Sequence, residues 1–204
     1  MSLADLPQKG IIAEHLPKAG CNYANTYRLT FDNLKIPKEC LLGEEGKGFY
    51  AILDTLNPER IVGSATTVGT GKLAIKKAVE YANQREVFDG PIGKYQGIQF
   101  PLAAAYAKLE CGWLAVLNAA TLYDQKKDPK RVGDMANIAK FVCVDAAIQG
   151  VNAAMTTLGG WGYGKENHIE RWYRELMVQQ VAPVSQQMTL NYFAEHILGM
   201  PKSY

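Results

Sequence analysis

The stretch with the clearest chemical potential is Met155-Thr156-Thr157-Leu158-Gly159-Gly160-Trp161-Gly162-Tyr163-Gly164, where four glycines fall within six residues. Glycine costs conformational entropy on folding, so such a cluster marks backbone that bends tightly or lies close to something. It reads either as a helix C-cap with a turn or as a backbone surface for a flat or phosphorylated ligand. Just downstream, Arg171 and Arg174 sit three apart and would share a helix face. Among the many acids, Glu59 stands out by position. It follows Asn57-Pro58 at the head of a long helical pattern that otherwise looks buried. A structural acid at the positive end of a helix is its plainest reading.

Other chemistries find no support. His15, His168 and His196 lie far apart without metal-ligand spacing. Cys21, Cys40, Cys111 and Cys143 form no C-x-x-C pair, so no zinc site is expected. Cys111 and Cys143 fall in helical patterns and read as small core residues. There is no G-x-S-x-G or P-loop, and the glycine cluster follows no strand, which excludes a Rossmann reading.

The 204 residues make one or two domains with room for a real core. A formal charge of +2 offers no basic excess for nucleic acid. No uninterrupted apolar run of membrane-spanning length and no secretory signal are seen, so neither membrane nor export is expected. The scattered cysteines fit a reducing cytoplasm.

The elements that must position these residues follow from periodicity. Residues 4–24 read as loop with at most one strand. Thr26–Phe31 alternates in polarity, with Tyr27, Leu29 and Phe31 on one face, and Leu34–Ile36 reads as a short extended piece. One or two strands cannot form a stable sheet alone, so this part reads as the end of a β-domain. Phe49, Ile52, Leu53 and Leu56 recur at helical spacing. Asn57-Pro58-Glu59 predicts a fresh helix start, running through Leu73, Ala74, Val79 and Tyr81 to about Arg85. Gly63, Gly69 and Gly71 inside it suggest close packing against another helix.

A second long helix is expected over 95–123, with Ile98, Leu102, Ala105, Leu109, Leu114, Leu117 and Leu122 on its buried faces. Lys126–Lys130 reads as a polar turn. A third helix over 132–158 carries the stripe Met135, Ile138, Ala139, Val142, Cys143 and Ala146. Short and moderate helices over 169–177 and 185–198 flank Val181-Ala182-Pro183-Val184. The fold class is mainly α: an antiparallel four-helix bundle preceded by a short β remnant. Ala-, Gly- and Leu-rich helices with Trp113 and Trp172 suggest more apolar surface than one bundle buries.

Several motifs now combine: Leu42-Gly43-Glu44-Glu45-Gly46-Lys47-Gly48-Phe49, Glu59-Arg60, Tyr81 to Phe88 with Gln96, Leu158 to Tyr163, Arg171-x-x-Arg174-Glu175 and Ser185-Gln186. In this order and spacing, from about Tyr27 to Tyr204, the chain resembles the C-terminal part of the acyl-CoA dehydrogenases, with an ending similar to a bacterial branch. The resemblance implies the end of a middle β-domain over 1–43 and the helical bundle domain over 44–204. It implies FAD as cofactor, an acyl-CoA substrate, an electron-transfer flavoprotein as partner and a homotetramer.

By position, Arg85, Phe88 and Gln96 match residues that contact FAD, the arginine and glutamine reaching the FAD of a neighbouring subunit. Thr156 to Gly160, including Gly159 and Gly160, match a loop near that cofactor's adenosine end, with Thr156 where glutamine is frequent. Ser185 and Gln186 match retained cofactor contacts, while Val184 stands where the family has threonine.

Most members carry the catalytic glutamate at the position of Ala182, which cannot accept a proton. A smaller branch places it on the first bundle helix before an arginine, where Glu59-Arg60 stands. The resemblance therefore implies Glu59 as general base, with Arg60 orienting it and the Ala182 N–H as a donor to the thioester carbonyl. A helix N-terminus and Arg60 would favour the carboxylate, and desolvation by a bound acyl chain its neutral form. The expected function is dehydrogenation of an acyl-CoA to the 2-enoyl-CoA. The alternative is a non-catalytic assembly module that completes a partner subunit's flavin site.

Overall fold

The computed structural model describes residues 1–203, with all side chains except those at positions 50, 51, 53 and 54. The Leu53 side chain, expected in the first helical stripe, and Tyr204, the last residue of the expected bundle, lie outside the described residues. The chain packs as two units, Met1–Leu56 and Asn57–Tyr204.

In the first unit, β1 (Ile11–His15) and β2 (Tyr27–Phe31) pair antiparallel, with Ile11 opposite Phe31 and His15 opposite Tyr27. The alternating strand is where its pattern put it, and its partner lies in the stretch read as mostly loop. Leu34–Ile36 forms no strand. Every β2 side chain is exposed, so the Tyr27, Leu29 and Phe31 face is uncovered in this unit.

Helix α1 (Gly48–Gln84) is continuous, with Pro58 inside it. The helix start expected at Asn57-Pro58 is therefore corrected. Proline costs about 3 kcal/mol inside a helix, but Arg60, Ile61 and Ser64 in the next turn are buried and hold the helix in place. Asn57 does not cap. Its Oδ1 accepts from Arg60 Nη1 at 3.1 Å.

Helix α2 (Gln96–Asp124) follows a tight turn, and α3 (Pro129–Leu158) starts three residues before its expected place. Lys126–Lys130 is only partly a turn, because Asp128 caps α3 by accepting from the Lys130 N–H at 3.2 Å. Pro129 fills the first helical position, where no N–H is needed. The chain continues through the short α4 (Gly160–Tyr163), α5 (Ile169–Val181) and α6 (Gln186–Tyr192), then a π-helical turn at Phe193–Ile197. Helix α5 runs four residues beyond expectation, and the single last helix is divided by that turn.

The core joins Val68, Ala74 and Ala78 of α1 to Leu109 of α2, Ala139, Cys143 and Ala147 of α3, and Ile169 and Trp172 of α5. Gly71 is where α1 meets both neighbours. A Cβ there would stand 3.0 Å from the Leu109 methyls and 3.1 Å from Ala147 Cα. At Gly150 on α3, a Cβ would lie 3.3 Å from Ile75 Cδ1 of α1. The pairings Gly133 with Asn57, Gly71 with Ala147 and Gly150 with Ile75 run in the same direction, so α1 and α3 are parallel. Helix α2 runs back between them, with Gly112 against Cys143 and Lys108 donating to Gln149 Oε1 at 2.7 Å. Gly63 and Gly69 are not explained by such packing, since a Cβ would meet only Gln179 Oε1 at 3.8 Å and nothing, respectively.

Several burial expectations change. Leu114 is 64% and Leu117 44% exposed, and Cys111 is exposed, because they face away from α1 and α3. Trp172 is buried, not available on the surface. Helices α2 and α3 are long and apolar enough by length and composition to cross a membrane, a test that buried core helices also pass. Both helices contribute to the shared core, α2 with Leu102, Leu109 and Val116 and α3 with Val132, Cys143 and Val151.

Two outcomes follow from this packing. Gly71→Ala is expected to destabilise the bundle by about 1–3 kcal/mol, the usual cost of overpacking, measured by urea unfolding. Burial pushes the Cys143 thiol up to about 12, so iodoacetamide at pH 8 should label exposed Cys111 and spare Cys143 until the chain unfolds. Peptide mapping by mass spectrometry reads both sites.

Candidate active site

Glu59, Arg60 and Ala182 come together around one cavity of about 180 Å³. Gly63 and Ser64 of α1, Lys140 of α3 and Val178, Gln179 and Pro183 complete its lining. The parallel α1 and α3 bring Arg60 and Lys140 to the same level, and the antiparallel α5 delivers Ala182 there at its C-terminus.

The cavity is cationic on its inner side. Arg60 is 8% exposed and Lys140 3% exposed. Among the described residues, neither has a carboxylate within ion-pair distance, and Arg60 Nε has no hydrogen-bond partner. Burial lowers the Arg60 pKa, opposed by the charge of Glu59. Burial, then the charge of Arg60, lowers that of Lys140. The Lys140 ammonium donates to the Val184 carbonyl. Beside them, Tyr192 donates to Asp134 Oδ1 at 2.7 Å. Burial and that bond push its hydroxyl up to about 12.

Glu59 itself is exposed at the rim. It lies well inside α1, so the helix-end electrostatics expected for it are corrected. The helix dipole acts within the first turn, and Arg60 is the cation that remains beside it. The Ala182 N–H donates to Val178 O at 2.9 Å, closing α5. It is already engaged, which corrects the expectation of a donor held free for a carbonyl. Beyond it, Ser185 caps α6 by accepting from the Met188 N–H at 3.2 Å, and Gln186 Nε2 is buried without a partner among the described residues.

The other sequence-chosen residues gather at the opposite end of the bundle. Arg85 follows the last residue of α1, and Gln96 is the first of α2. Between them the chain folds back through the Glu86–Pro91 bridge, with Ile92 N–H donating to Arg85 O at 2.8 Å. This turn holds Phe88 at φ +59° with its ring 91% exposed. Thr156 lines a separate cavity of about 310 Å³ between α2 and α3 with Gly97, Pro101 and Asn152. Gly159 ends α3 at φ +58°, ψ −136°, where side chains are strained, and its N–H bonds back to Met155 O. A Cβ at Gly159 or Gly160 would meet nothing within 4 Å, whereas one at Gly162 would sit 2.9 Å from Leu158 Cβ. The cluster is thus both a C-cap and an open backbone surface. Arg171 and Arg174 are matched along α5 by Glu175 at 3.1 Å and Glu170 at 2.7 Å.

Lys140, Tyr192 and Asp134 escaped sequence reasoning. The signal for Lys140 was present: it stands four after Ala136 and three before Cys143, on the buried stripe of α3.

Fold and site together define a helical bundle domain with a polar cavity at one end and exposed turns at the other. The chain belongs to the acyl-CoA dehydrogenase family, whose C-terminal domain model matches residues 46–198. It is 35% identical to acyl-CoA dehydrogenase fadE12 of Mycobacterium tuberculosis (strain CDC 1551 / Oshkosh) over 87% of this chain and 46% of that protein. It is 38% identical to the 3-(aryl)acrylate reductase of Clostridium sporogenes (strain ATCC 15579) over 86% of this chain and 46% of that one. The fold matches butyryl-CoA dehydrogenase from Megasphaera elsdenii with a TM-score of 0.88 at 31% identity, covering 97% of this chain and 51% of that one. The chain spans about half the length of the curated relatives it matches.

Removing the α6 cap isolates the local energetics beside the cavity. Ser185→Ala should cost about 0.5–2 kcal/mol, the usual worth of an N-cap, read as a lower urea midpoint with an unchanged slope.

Proposed function

We propose that this chain is the C-terminal part of a flavin-dependent acyl-CoA dehydrogenase, in which Glu59 is the general base. The observation that carries the reading is the convergence of Glu59, Arg60 and Ala182 on one cavity. Ala182 places no carboxylate at this position, and among the described residues Glu59 is the one acid that lines the cavity. A bound acyl group would displace water from the exposed carboxylate. Glu59 would then take the α-proton onto a carboxylate oxygen. Arg60 beside it would hold the carboxylate oriented and balance its charge. The two buried cations also favour negative charge developing on a thioester oxygen nearby. Ala182 contributes the wall of the cavity.

The residues present fit FAD. Gln186 has a buried amide donor that nothing in the described chain satisfies, beside the Ser185 cap. Ser185 and Gln186 would hold the cofactor on the cavity side. Arg85, Phe88 and Gln96 are exposed, and with Thr156, Gly159 and Gly160 they would hold it at the opposite end. When bound, FAD supplies the two-electron acceptor for the hydride from the β-carbon. Glu59 stands 25 positions before Gln84, the last residue of α1, which Arg85 follows; that is about 38 Å at 1.5 Å per residue. That is longer than an extended dinucleotide, so the two groups would serve two different flavins in an assembly. An assembly also fits the exposed α2 face of Phe100, Leu114 and Leu117. We assign a homotetramer with an electron-transfer flavoprotein as acceptor, in the cytoplasm. Residues 1–43 would be the end of the middle β-domain and 44–204 the bundle domain.

A second reading, a non-catalytic module completing a partner's flavin site, is favoured by the outward Phe88 turn, which needs nothing from the cavity. The spectrum of the purified protein, with and without added FAD, separates the two. Flavin bleaching by an acyl-CoA is expected from the enzyme and not from the module. Glu59→Gln should keep FAD and acyl-CoA binding and slow flavin reduction about 10²–10⁴-fold, the worth of a positioned base. Near-normal reduction by that variant would sink the assignment.

A further inference from the structure

Lys140 presents a problem of stability. Its side chain is almost fully buried, no described carboxylate lies within ion-pair reach, and its neighbour across the cavity is the like-charged Arg60. Taking an ammonium out of water is expensive, and a second cation nearby adds to the cost. A hydrophobic residue of similar length would fill the space without that cost. Packing therefore gives no reason for a lysine on this stripe of α3.

Its hydrogen bond among the described residues supplies a reason. The ammonium donates to the carbonyl of Val184. Val184 lies in the non-helical link between α5 and α6, after the cis bond at Ala182–Pro183. This link leads from two cavity-lining residues, Ala182 and Pro183, into Ser185, which caps α6, and Gln186, whose buried amide donor has no partner among the described residues. Lys140 thus binds the midpoint of a segment with the cavity on one side and the candidate cofactor contacts on the other. The bond is charge-assisted and stronger than a neutral one. Its donor stands on the central helix of the core.

We infer that Lys140 is a positioning residue, which anchors the 182–186 link to α3 and so fixes Ser185 and Gln186 relative to Glu59. The catalytic meaning of that anchor rests on the function proposed above. The anchor itself is a statement about this chain.

Two variants test it: Lys140→Met, which keeps the stem and removes the donor, and Lys140→Arg, which keeps charge and donors. The first readout is amide hydrogen exchange in the chain without cofactor. In Lys140→Met, the Met188 and Thr189 amides, bonded to Ser185, should exchange about tenfold or more faster, while core amides of α3 such as Ala147 and Val151 keep their protection. Lys140→Arg should restore most of the loss. Unchanged exchange at 188 and 189, or equal loosening of the α3 core, overturns the anchor. The second readout is flavin reduction by an acyl-CoA in the flavin-loaded protein. Misplaced cofactor contacts should lower the rate about 10²-fold with KM within about threefold. A merely structural role predicts loss in proportion to unfolded protein instead, and that result, or a loss confined to KM, overturns the positioning role. A wild-type protein whose flavin no acyl-CoA bleaches sinks the proposed function, and the exchange data still decide the anchor.

Discussion

The close approach of α1 to α3, at Gly71 and Gly150, is the constraint on which the rest of this structure depends. With no side chain at either glycine, the backbones come within van der Waals contact, and Leu109 of α2 closes the third side. This contact sets the level of the two parallel helices against each other. Fixing it at Gly71 and Ala147 determines what lies about three turns away in either direction. Toward the N-termini it brings Arg60 beside Lys140. Toward the C-termini it places Arg85 at the same end as Thr156 and Gly159. Both candidate regions are thus consequences of one packing register.

The energetics of the two ends differ in kind. The cavity end concentrates costs: two buried cations and, among the described residues, a guanidinium nitrogen of Arg60 and an amide of Gln186 without partners. A fold selected for stability alone would replace these groups with apolar ones. At the opposite end the candidate contacts Arg85, Phe88, Gln96, Thr156, Gly159 and Gly160 are exposed. Its turn exposes Phe88 and holds it at positive φ, a conformation that an apolar aromatic does not favour.

Lys140 shows how the ends of different helices become one site. Helix α5 stops at Val181 because Pro183 has no N–H to continue the ladder, and Ala182 supplies the last bond to Val178. The chain then needs an external holder until Ser185 starts α6. The ammonium of α3 takes that place. A buried charge that weakens the core thereby orders the link beside the cavity.

Much of this was legible in the residues themselves. The alternation of Tyr27–Phe31, the long helical stripes, the Gly159 C-cap and the ordered motifs that place the chain in its family all arise from local periodicity or fixed spacing, which needs no knowledge of neighbours. Where the sequence misled, a distant contact outweighed a local preference. Asn57-Pro58 carries a sound helix-start signal, but burial of Arg60 and Ile61 keeps α1 running through it. Leu114 and Leu117 look like core by type, but their side of α2 faces away from α1 and α3. The Ala182 N–H looked free until α5 extended far enough to use it. Sequence alone determined the family, the helical class and the candidacy of Glu59. Only the tertiary structure decided that Glu59, Arg60, Lys140 and Ala182 share a cavity while Arg85, Gln96 and Gly159 gather at the far end, because the register between helices is set by contacts among residues up to a hundred or more positions apart.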